Sequence, residues 1–328
     1  MRKKWYLLIL VLAVSAVLLA ACNQKTAVQE TANDLSGKII IFHAGSLTVP
    51  VDKLTKAFQE KHPGVSFETE SGGSRTIARK VSELGKQADI VMSADYSVID
   101  SLLIPDFASW NVRFARNTMV IAYTDKSKYA DEINSDNWYD ILTRDGVVYG
   151  HSEPDADPCG YRTLMVWQLA EAHYKIDGLN QKLADHCPAK NVRPKAVELI
   201  AMLESGDMDY AFEYRSVAVQ HGLKYVELPE QINLGSIEYA DVYKTATVEI
   251  SGSEPGKTVT KTGSPIVYGL TMPKNAPSPD LAVAFLEFLL GPEGQSILDS
   301  QGQPPIVPPL VNDVSLLPAS LQTFFDGK

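Results

Sequence analysis

Short apolar segments alternate with amphipathic segments along the first hundred residues. Residues 38–43, 65–70 and 89–94 are short runs, rich in β-branched residues or alternating in polarity, and each is too short for a helix. Between them, apolar positions recur at helical spacing from Leu47 onward and again over 75–84. Strands that alternate with helices in this way predict a parallel sheet covered by helices.

The same reading of the later sequence predicts a second α/β unit. Strands are predicted at 118–123, 209–214 and 265–272, and helices at 137–144, 160–174, 192–204, 279–290 and 293–300. Residues 251–263 predict a hairpin or an exposed loop, and the prolines of 304–309 exclude regular structure there. We therefore expect two lobes: residues 38–120 together with 265–328, and residues 121–264.

The N-terminus has the layout of a secretory signal. Three basic residues precede an almost wholly apolar run, and small residues come before Cys22. This predicts a signal peptide over residues 1–21, a lipid attached to Cys22, and a flexible polar tether over residues 22–37. The alternative is a transmembrane anchor, but the apolar run is at or below the roughly 17–25 residues that a spanning helix needs. The protein is expected outside the cytoplasm, anchored to the cell membrane by lipid.

The charge balance limits the partners. The formal net charge is −10, and it falls to −13 without the first 21 residues, which contain three basic and no acidic residues. Such a chain is repelled by nucleic acid and by anionic lipid surfaces. Hydrophobic content of 45% and charged content of 21% are ordinary for a globular protein.

Cys159 and Cys187 remain once Cys22 is assigned to lipid. Disulfides persist outside the cytoplasm, so the parity of the remaining cysteines predicts a Cys159–Cys187 disulfide. The alternative is two free thiols. No zinc-binding spacing is present.

Two polar turns follow successive predicted strands and are candidates for an anion site. Gly45 and Ser46 lie between the first predicted strand and the first helix. Ser74 lies in the equivalent turn, between the second predicted strand and the second helix. Backbone N–H groups at a helix start and serine hydroxyls suit an anion. The alternatives are that Ser46 caps the helix and that the second turn is an ordinary polar turn.

Asp157 and Glu213 are candidate acidic residues of the second lobe. Asp157 opens a predicted helix, where an N-cap is the simpler interpretation. Glu213 lies among aromatic residues at a strand end, where a surface ion pair is the simpler interpretation. No nucleophile elbow, phosphate-binding loop or zinc-protease motif is present, so an enzyme is not expected.

Four segments resemble, in the same order, the tungstate/molybdate-binding proteins of ABC importers, in the branch best known from archaea. The segments are Phe42-His43-Ala44-Gly45-Ser46-Leu47, Asn137-Trp138-Tyr139, Asp157-Pro158-Cys159-Gly160-Tyr161-Arg162 and Phe212-Glu213-Tyr214-Arg215-Ser216-Val217-Ala218. The resemblance covers residues 38–310. It implies an α/β, two-lobed type II periplasmic-binding-protein fold with mixed sheets flanked by helices. It also implies a monomer without a cofactor that delivers its oxyanion to a membrane permease.

The resemblance further implies which residues bind the oxyanion. Gly45, Ser46 and Ser74 would donate from the first lobe, assisted by backbone N–H groups near Cys159. Asp157 and Glu213 would approach the metal atom of the oxyanion from the second lobe.

A tyrosine downstream of Glu213 also belongs to the family site. Tyr239 is the candidate for this tyrosine. Tyr243 is the alternative, because neither residue aligns securely with the tyrosine of the family.

Two other functions remain open at this point. A binding protein for sulfate, phosphate or an organic anion would use Glu213 only in an ion pair. An extracytoplasmic enzyme would need an acid/base pair, for which Asp157 and Glu213 are the candidate residues.

Overall fold

The computed structural model describes residues 35–252 and 256–325. The strands are β1 (Ser36–Ala44), β2 (Gly64–Gly72), β3 (Ile90–Ser93), β4 (Val112–Arg116), β5 (Met119–Tyr123), β6 (Tyr149–Ser152), β7 (Val192–Arg193), β8 (Tyr210–Tyr214), β9 (Lys224–Glu227), β10 (Thr247–Ser251), β11 (Thr258–Thr262), β12 (Val267–Thr271) and β13 (Pro305–Val311). The α-helices are α1 (Thr48–Lys61), α2 (Ser74–Ser82), α3 (Tyr96–Leu102), α4 (Trp138–Leu142), α5 (Pro158–Tyr174), α6 (Leu179–His186), α7 (Glu198–Ser205), α8 (Arg215–Gln220), α9 (Ala240–Tyr243), α10 (Pro279–Leu290), α11 (Pro292–Ser300) and α12 (Ala319–Gln322). Short 3-10 helices lie at Gly45–Leu47, Ala189–Asn191, Ile237–Tyr239 and Val314–Leu316.

A six-stranded sheet forms the first lobe, in the order β13-β4-β12-β3-β1-β2. Strand β1 pairs in parallel with β2 and β3, whereas β12 pairs antiparallel with β3 and β4. The chain leaves this sheet after β4 and returns at β12. The carboxyl ends of β1 and β2 therefore lie side by side, and ligands of open α/β sheets bind at such ends.

A five-stranded sheet forms the second lobe, in the order β7-β6-β8-β5-β9. Strand β8 pairs antiparallel with β5 and parallel with β6. The change from the first sheet to the second takes place between Arg116 and Met119. The β10–β11 hairpin lies against α5, where the Gln168 amide bonds both backbone groups of Thr247. The first lobe is thus discontinuous in sequence.

The apolar stripe of α1 packs on the first sheet as its spacing predicts. Val51, Leu54 and Phe58 are buried, and the Phe58 ring lies edge-on to Phe285 with centroids 5.4 Å apart. Edge-to-face aromatic pairs of this kind contribute about 0.5–1.5 kcal/mol beyond their area burial. This packing holds the start of α1, and with it the loop after β1, against the sheet.

Two predictions of secondary structure are wrong. The sequence predicted no regular structure over residues 304–309, but β13 forms there as an edge strand with an irregular register to β4. Only one side of an edge strand needs hydrogen bonds, which is why its prolines are tolerated. The helix predicted over 192–204 starts only at Glu198. Val192 and Arg193 form β7 and pair with β6, so Pro194 follows a strand and does not open the helix.

The predicted signal peptide and Cys22 lie outside the described residues, as does the tether up to residue 34. Strand β1 already begins at Ser36. Within the described ranges, no single helix has the length and hydropathy of a membrane span, and α10 and α11 meet the criterion only together, as a pair bent by 64°.

Candidate ligand site between the lobes

Ser46 lies directly after β1 in a 3-10 turn and is only 3% exposed. Its hydroxyl does not cap α1. Instead it lies 2.9 Å from the hydroxyl of Tyr268, and its carbonyl oxygen accepts a hydrogen bond of 3.0 Å from Gln303 Nε2. Both partners come from the part of the chain that returns to the first lobe. The helix-cap interpretation of Ser46 is therefore wrong.

Ser74 begins α2 after the turn that ends β2, and it is buried. Its Oγ accepts a hydrogen bond of 3.0 Å from the backbone N–H of Ala94, which follows β3. With its oxygen engaged in this way, the hydroxyl hydrogen of Ser74 is free for another acceptor.

Asp157 is the N-cap of α5, with Pro158 in the first turn. Its Oδ1 accepts from the Cys159 N–H at 3.0 Å, and its Oδ2 accepts from the Ala196 N–H at 3.1 Å. Burial outweighs these two bonds and raises the pKa of Asp157 to about 6. The capping role predicted for Asp157 is present, but the second bond and the burial go beyond an ordinary cap.

Glu213 lies in β8 and is fully buried, which excludes the surface ion pair. The neighbouring Arg215 pairs with Glu227 instead. Glu213 Oε2 accepts a weak bond of 3.2 Å from the Tyr214 N–H, whereas Oε1 has no hydrogen-bond partner among the described residues. Burial, followed by the charge of Asp157, raises the pKa of Glu213 well above its usual value.

The two lobes are in contact at this place. The Arg75 N–H from the first lobe donates to the carbonyl oxygen of Ala156 at 3.1 Å. A Cβ added to Gly73 would lie 3.2 Å from the Cβ of Asp157, and one added to Gly45 would lie 3.3 Å from Val197. The loops after β1 and β2 therefore face the Asp157 loop and the start of α7. The lobes adopt the closed arrangement of a two-lobed binding protein.

Arg162, for which the sequence predicted no role, is a buried cation beside the site. Its Nη1 donates to the Tyr214 hydroxyl at 2.6 Å and to the Ala94 carbonyl at 2.8 Å, and its Nη2 is 3.8 Å from Asp95. Burial would raise the pKa of Asp95, but the charges of Arg162 and Lys261 outweigh it and lower that pKa to about 2. Arg162 is the last residue of the Asp157–Arg162 segment that resembles the family. That segment is the sequence signal that could have identified Arg162.

A cavity of about 550 Å³ lies beside this cluster, between α3 and the β10–β11 hairpin. Asp95, Arg162 and Lys261 are among its lining residues. Lys261 Nζ donates to Ser97 Oγ at 2.7 Å, so the hairpin is bonded to the first lobe.

The predicted disulfide is absent. Within residues 35–252 and 256–325, Cys159 and Cys187 are both buried free thiols. Cys159 Sγ lies 3.6 Å from the carbonyl oxygen of Phe212, and Cys187 Sγ lies 3.5 Å from that of Tyr149. Each thiol thus has its own acceptor in a different part of the lobe, which sequence parity does not reveal. Burial raises the pKa of both thiols, which makes them poor nucleophiles.

Tyr239 is not bonded to any of these groups in the described structure. Its hydroxyl accepts from Gln231 at 3.1 Å, and the competing Tyr243 bonds Glu230 and Ser236. Two other tyrosines contact residues of this region: Tyr214 accepts from Arg162, and Tyr268 is bonded to Ser46. Tyr268 belongs to a strand that is distant in sequence, so no local pattern marked it.

The predicted site residues are all buried: Gly45, Ser46 and Ser74 in the loops after β1 and β2, and Asp157, Cys159 and Glu213 in the second lobe. The loops after β1 and β2 contact the second lobe beside Asp157 and Val197. The two sheets flanked by helices are the fold of type II periplasmic binding proteins. A family model described as bacterial extracellular solute-binding protein matches residues 39–303, and the chain belongs to that family. Such proteins act outside the cytoplasm.

Three similar proteins illustrate the relationship. An uncharacterized solute-binding protein of Petrotoga mobilis is 54% identical over 296 residues, which are 90% of this chain and 92% of that protein. The molybdate/tungstate-binding protein WtpA of Pyrococcus abyssi is 43% identical over 301 residues, covering 84% and 86%. The periplasmic molybdate-binding protein of Azotobacter vinelandii superposes with a TM-score of 0.59 at 18% identity, covering 81% and 98%, and shows the fold alone.

Proposed function

We propose that this protein captures tungstate or molybdate outside the cytoplasm and delivers it to the membrane permease of an ABC importer. The observation that carries the proposal is the pair of buried carboxyl groups, Asp157 and Glu213, of which Glu213 Oε1 has no hydrogen-bond partner in the described part of the chain. An unpaired buried oxygen costs free energy unless a ligand satisfies it. A group that can bond directly to carboxylate oxygen is the ligand that fits.

Carboxylates beside a dianion need such a bond. Two like charges 4 Å apart repel by about 4 kcal/mol at an effective dielectric constant of 20. The metal atom of tungstate or molybdate can expand from four toward six ligands and accept oxygen from Asp157 and Glu213. Sulfur and phosphorus in sulfate and phosphate do not expand their coordination in this way, so those anions meet only the repulsion.

The remaining groups suit the oxygen atoms of the anion. Ser46 and Ser74 supply hydroxyl donors, and Arg162 supplies a positive charge that favours the ionised form of Asp157. The name of the relative from Pyrococcus abyssi agrees with this ligand class. No group of three or more metal-ligating side chains occurs in the described ranges, so the carboxylates would act on a metal that the ligand brings.

Membrane attachment is a second part of the proposal. The sequence of Cys22 and its surroundings predicts a lipid at the mature N-terminus, followed by a polar tether. A lipid-tethered monomer without a cofactor would release its anion to the permease at the same membrane surface.

X-ray absorption of the bound metal tests the proposal. With molybdate bound to the wild-type protein, we expect an edge spectrum of a centre with more than four oxygen ligands, and in Glu213→Gln a spectrum closer to tetrahedral molybdate. Thermal-shift measurements with sulfate and phosphate serve as the comparison, since a bound ligand raises the melting temperature by mass action. A tetrahedral spectrum in the wild type, or stabilisation by sulfate equal to that by tungstate, would refute the proposed coordination.

A further inference from the structure

The amide of Asn117 has one determined orientation. Asn117 lies where the chain crosses from β4 to β5 and is 4% exposed. Its Oδ1 accepts from the backbone N–H of Thr118 at 2.9 Å and from that of Ser216 at 3.3 Å. Only the carbonyl oxygen of an amide can accept these two bonds, so the NH2 group must face the other way.

The NH2 group of Asn117 then determines the direction in which the hydroxyl hydrogen of Tyr268 points. Asn117 Nδ2 donates to Ser216 Oγ at 2.7 Å and to Tyr268 Oη at 2.8 Å. Tyr268 is fully buried, and burial raises its pKa to about 12, so the phenol keeps its hydrogen at neutral pH. Because Oη already accepts from Asn117, its own hydrogen is available for Ser46 Oγ, 2.9 Å away. A phenol is also the more acidic donor of the two hydroxyls.

We propose that Tyr268 is a positioning residue of the oxyanion site, which fixes Ser46 as a donor whose hydrogen points into the cleft. The chain of bonds runs from two backbone N–H groups to Asn117, from Asn117 to Tyr268, and from Tyr268 to Ser46. The Ser46 carbonyl is held separately by Gln303, so the residue cannot turn away.

Ser74 is oriented as a hydrogen-bond donor in the same way, but by a single hydrogen bond. Its Oγ accepts directly from the Ala94 N–H, which leaves its hydrogen free. Both serines therefore present hydrogens, and the site offers hydroxyl donors that are oriented before the ligand arrives. Oriented donors lose less conformational freedom on binding than hydroxyls that rotate freely. The inference rests on the proposed function only in the identity of the anion.

Neutron diffraction of the deuterated, ligand-free wild-type protein tests the orientation without any ligand. We expect the deuterium between the two oxygen atoms to be bonded to Tyr268 Oη, and the deuterium of Ser46 to point away from Tyr268. A deuterium bonded to Ser46 Oγ and directed at Tyr268 would overturn the inference.

A double-mutant cycle tests the consequence for binding, with tungstate and molybdate as probes in calorimetry. We expect Tyr268→Phe to weaken binding about fivefold and Ser46→Ala about tenfold, as for one hydrogen bond to a charged acceptor. In the Ser46→Ala background, Tyr268→Phe should have no further effect on affinity, because Tyr268 acts through Ser46. Tyr149→Phe is the matched control: Tyr149 is equally buried and its hydroxyl donates to Leu183, away from the site.

The outcomes separate this inference from the proposed function. Additive effects of the two substitutions, or a loss in Tyr149→Phe equal to that in Tyr268→Phe, would mean that Tyr268 has only a structural role. A wild-type protein that binds neither tungstate nor molybdate would refute the proposed function, and the neutron result would still decide the orientation of Ser46.

Discussion

Gly73 of the first lobe and Ala156 of the second lobe are so close that no side chain fits between them. A Cβ built on Gly73 would lie 2.3 Å from the carbonyl oxygen of Ala156 and 2.8 Å from its carbonyl carbon. Both atoms belong to the backbone, so neither can rotate away. The backbone of Gly73 is extended, with φ of −60°, and does not itself require glycine. The glycine is therefore needed for the approach of the lobes.

Gly73→Ala should weaken ligand binding by keeping the two loops apart. The added methyl group does not fit where Gly73 meets the backbone of Ala156, whereas the φ of this position accepts alanine, so each lobe should still fold. We expect affinity for tungstate to fall at least about tenfold, or 1.4 kcal/mol, in calorimetry, with an unchanged circular dichroism spectrum. Thr76→Ala, an exposed position in the same helix, is the control. Wild-type affinity in Gly73→Ala would show that these loops do not approach in the complex.

Glu213→Gln should reduce the affinity for tungstate and molybdate strongly while leaving the fold intact. Glutamine keeps the shape but removes an anionic oxygen, and it also removes a buried carboxyl group whose pKa is raised. We expect a loss of at least about thirtyfold, or about 2 kcal/mol, measured by calorimetry at fixed pH. Glu238→Gln changes an exposed glutamate and serves as the control. Unchanged affinity would favour a site that binds a tetrahedral anion by hydrogen bonds alone.

The contribution of Asp157 to the stability of the ligand-free protein should fall as the pH rises from about 4 to above 6. The folded protein raises the pKa of Asp157 to about 6, so it retains a proton that the unfolded chain releases near pH 4. The stabilisation is therefore complete below about pH 4 and is lost as the pH rises through the folded-state pKa. A shift of about two units corresponds to at most about 3 kcal/mol. Glu213, whose pKa is also raised, acts in the same direction.

Asp157→Asn should make this pH dependence shallower, since asparagine does not titrate. Urea unfolding at a series of pH values from 4 to 7.5 measures the change in the free energy of unfolding. Asp177→Asn, at an exposed position, is the control and should follow the wild-type curve. An identical slope in Asp157→Asn and in the wild type would contradict the raised pKa.

Lys261→Met should lower ligand affinity modestly by weakening the closed arrangement. Lys261 lies in the β10–β11 hairpin and donates to Ser97 of the first lobe. This hydrogen bond is present only when the hairpin contacts the first lobe. We expect a three- to tenfold loss in calorimetry, which is the range of one ordinary hydrogen bond. Lys244→Met is the matched control, because Lys244 pairs with Asp241 on its own helix. A loss of the same size in both variants would point to a general charge effect.

Local sequence patterns identified the elements that carry the candidate ligand site. The strand before Gly45, the turn before Ser74 and the helix opened by Asp157 all follow from apolar periodicity and from capping preferences, which act within a few residues. The resemblance of the Asp157 and Glu213 segments to the family is the source of the role that we propose for them. These residues then lie where the strand ends and helix starts of an α/β fold must place them.

Contacts between distant residues could not be read from the chain. Sequence parity predicted a disulfide, yet Cys159 and Cys187 each find a separate backbone acceptor. The tyrosine that bonds Ser46 is Tyr268, 222 residues away. Neither periodicity nor spacing carries information on such pairs.

By itself, the sequence determined the α/β class, the order of most elements and the polar turns at their ends, because these depend on interactions between near neighbours. The tertiary structure alone decided which polar atoms are satisfied within the protein and which remain without a partner. Glu213 Oε1 is unpaired because β8 is buried under packed helices and no donor reaches it among the described residues. Burial and the nearby charge of Asp157 turn an ordinary glutamate into a group with a raised pKa, and both arise only when the chain has folded.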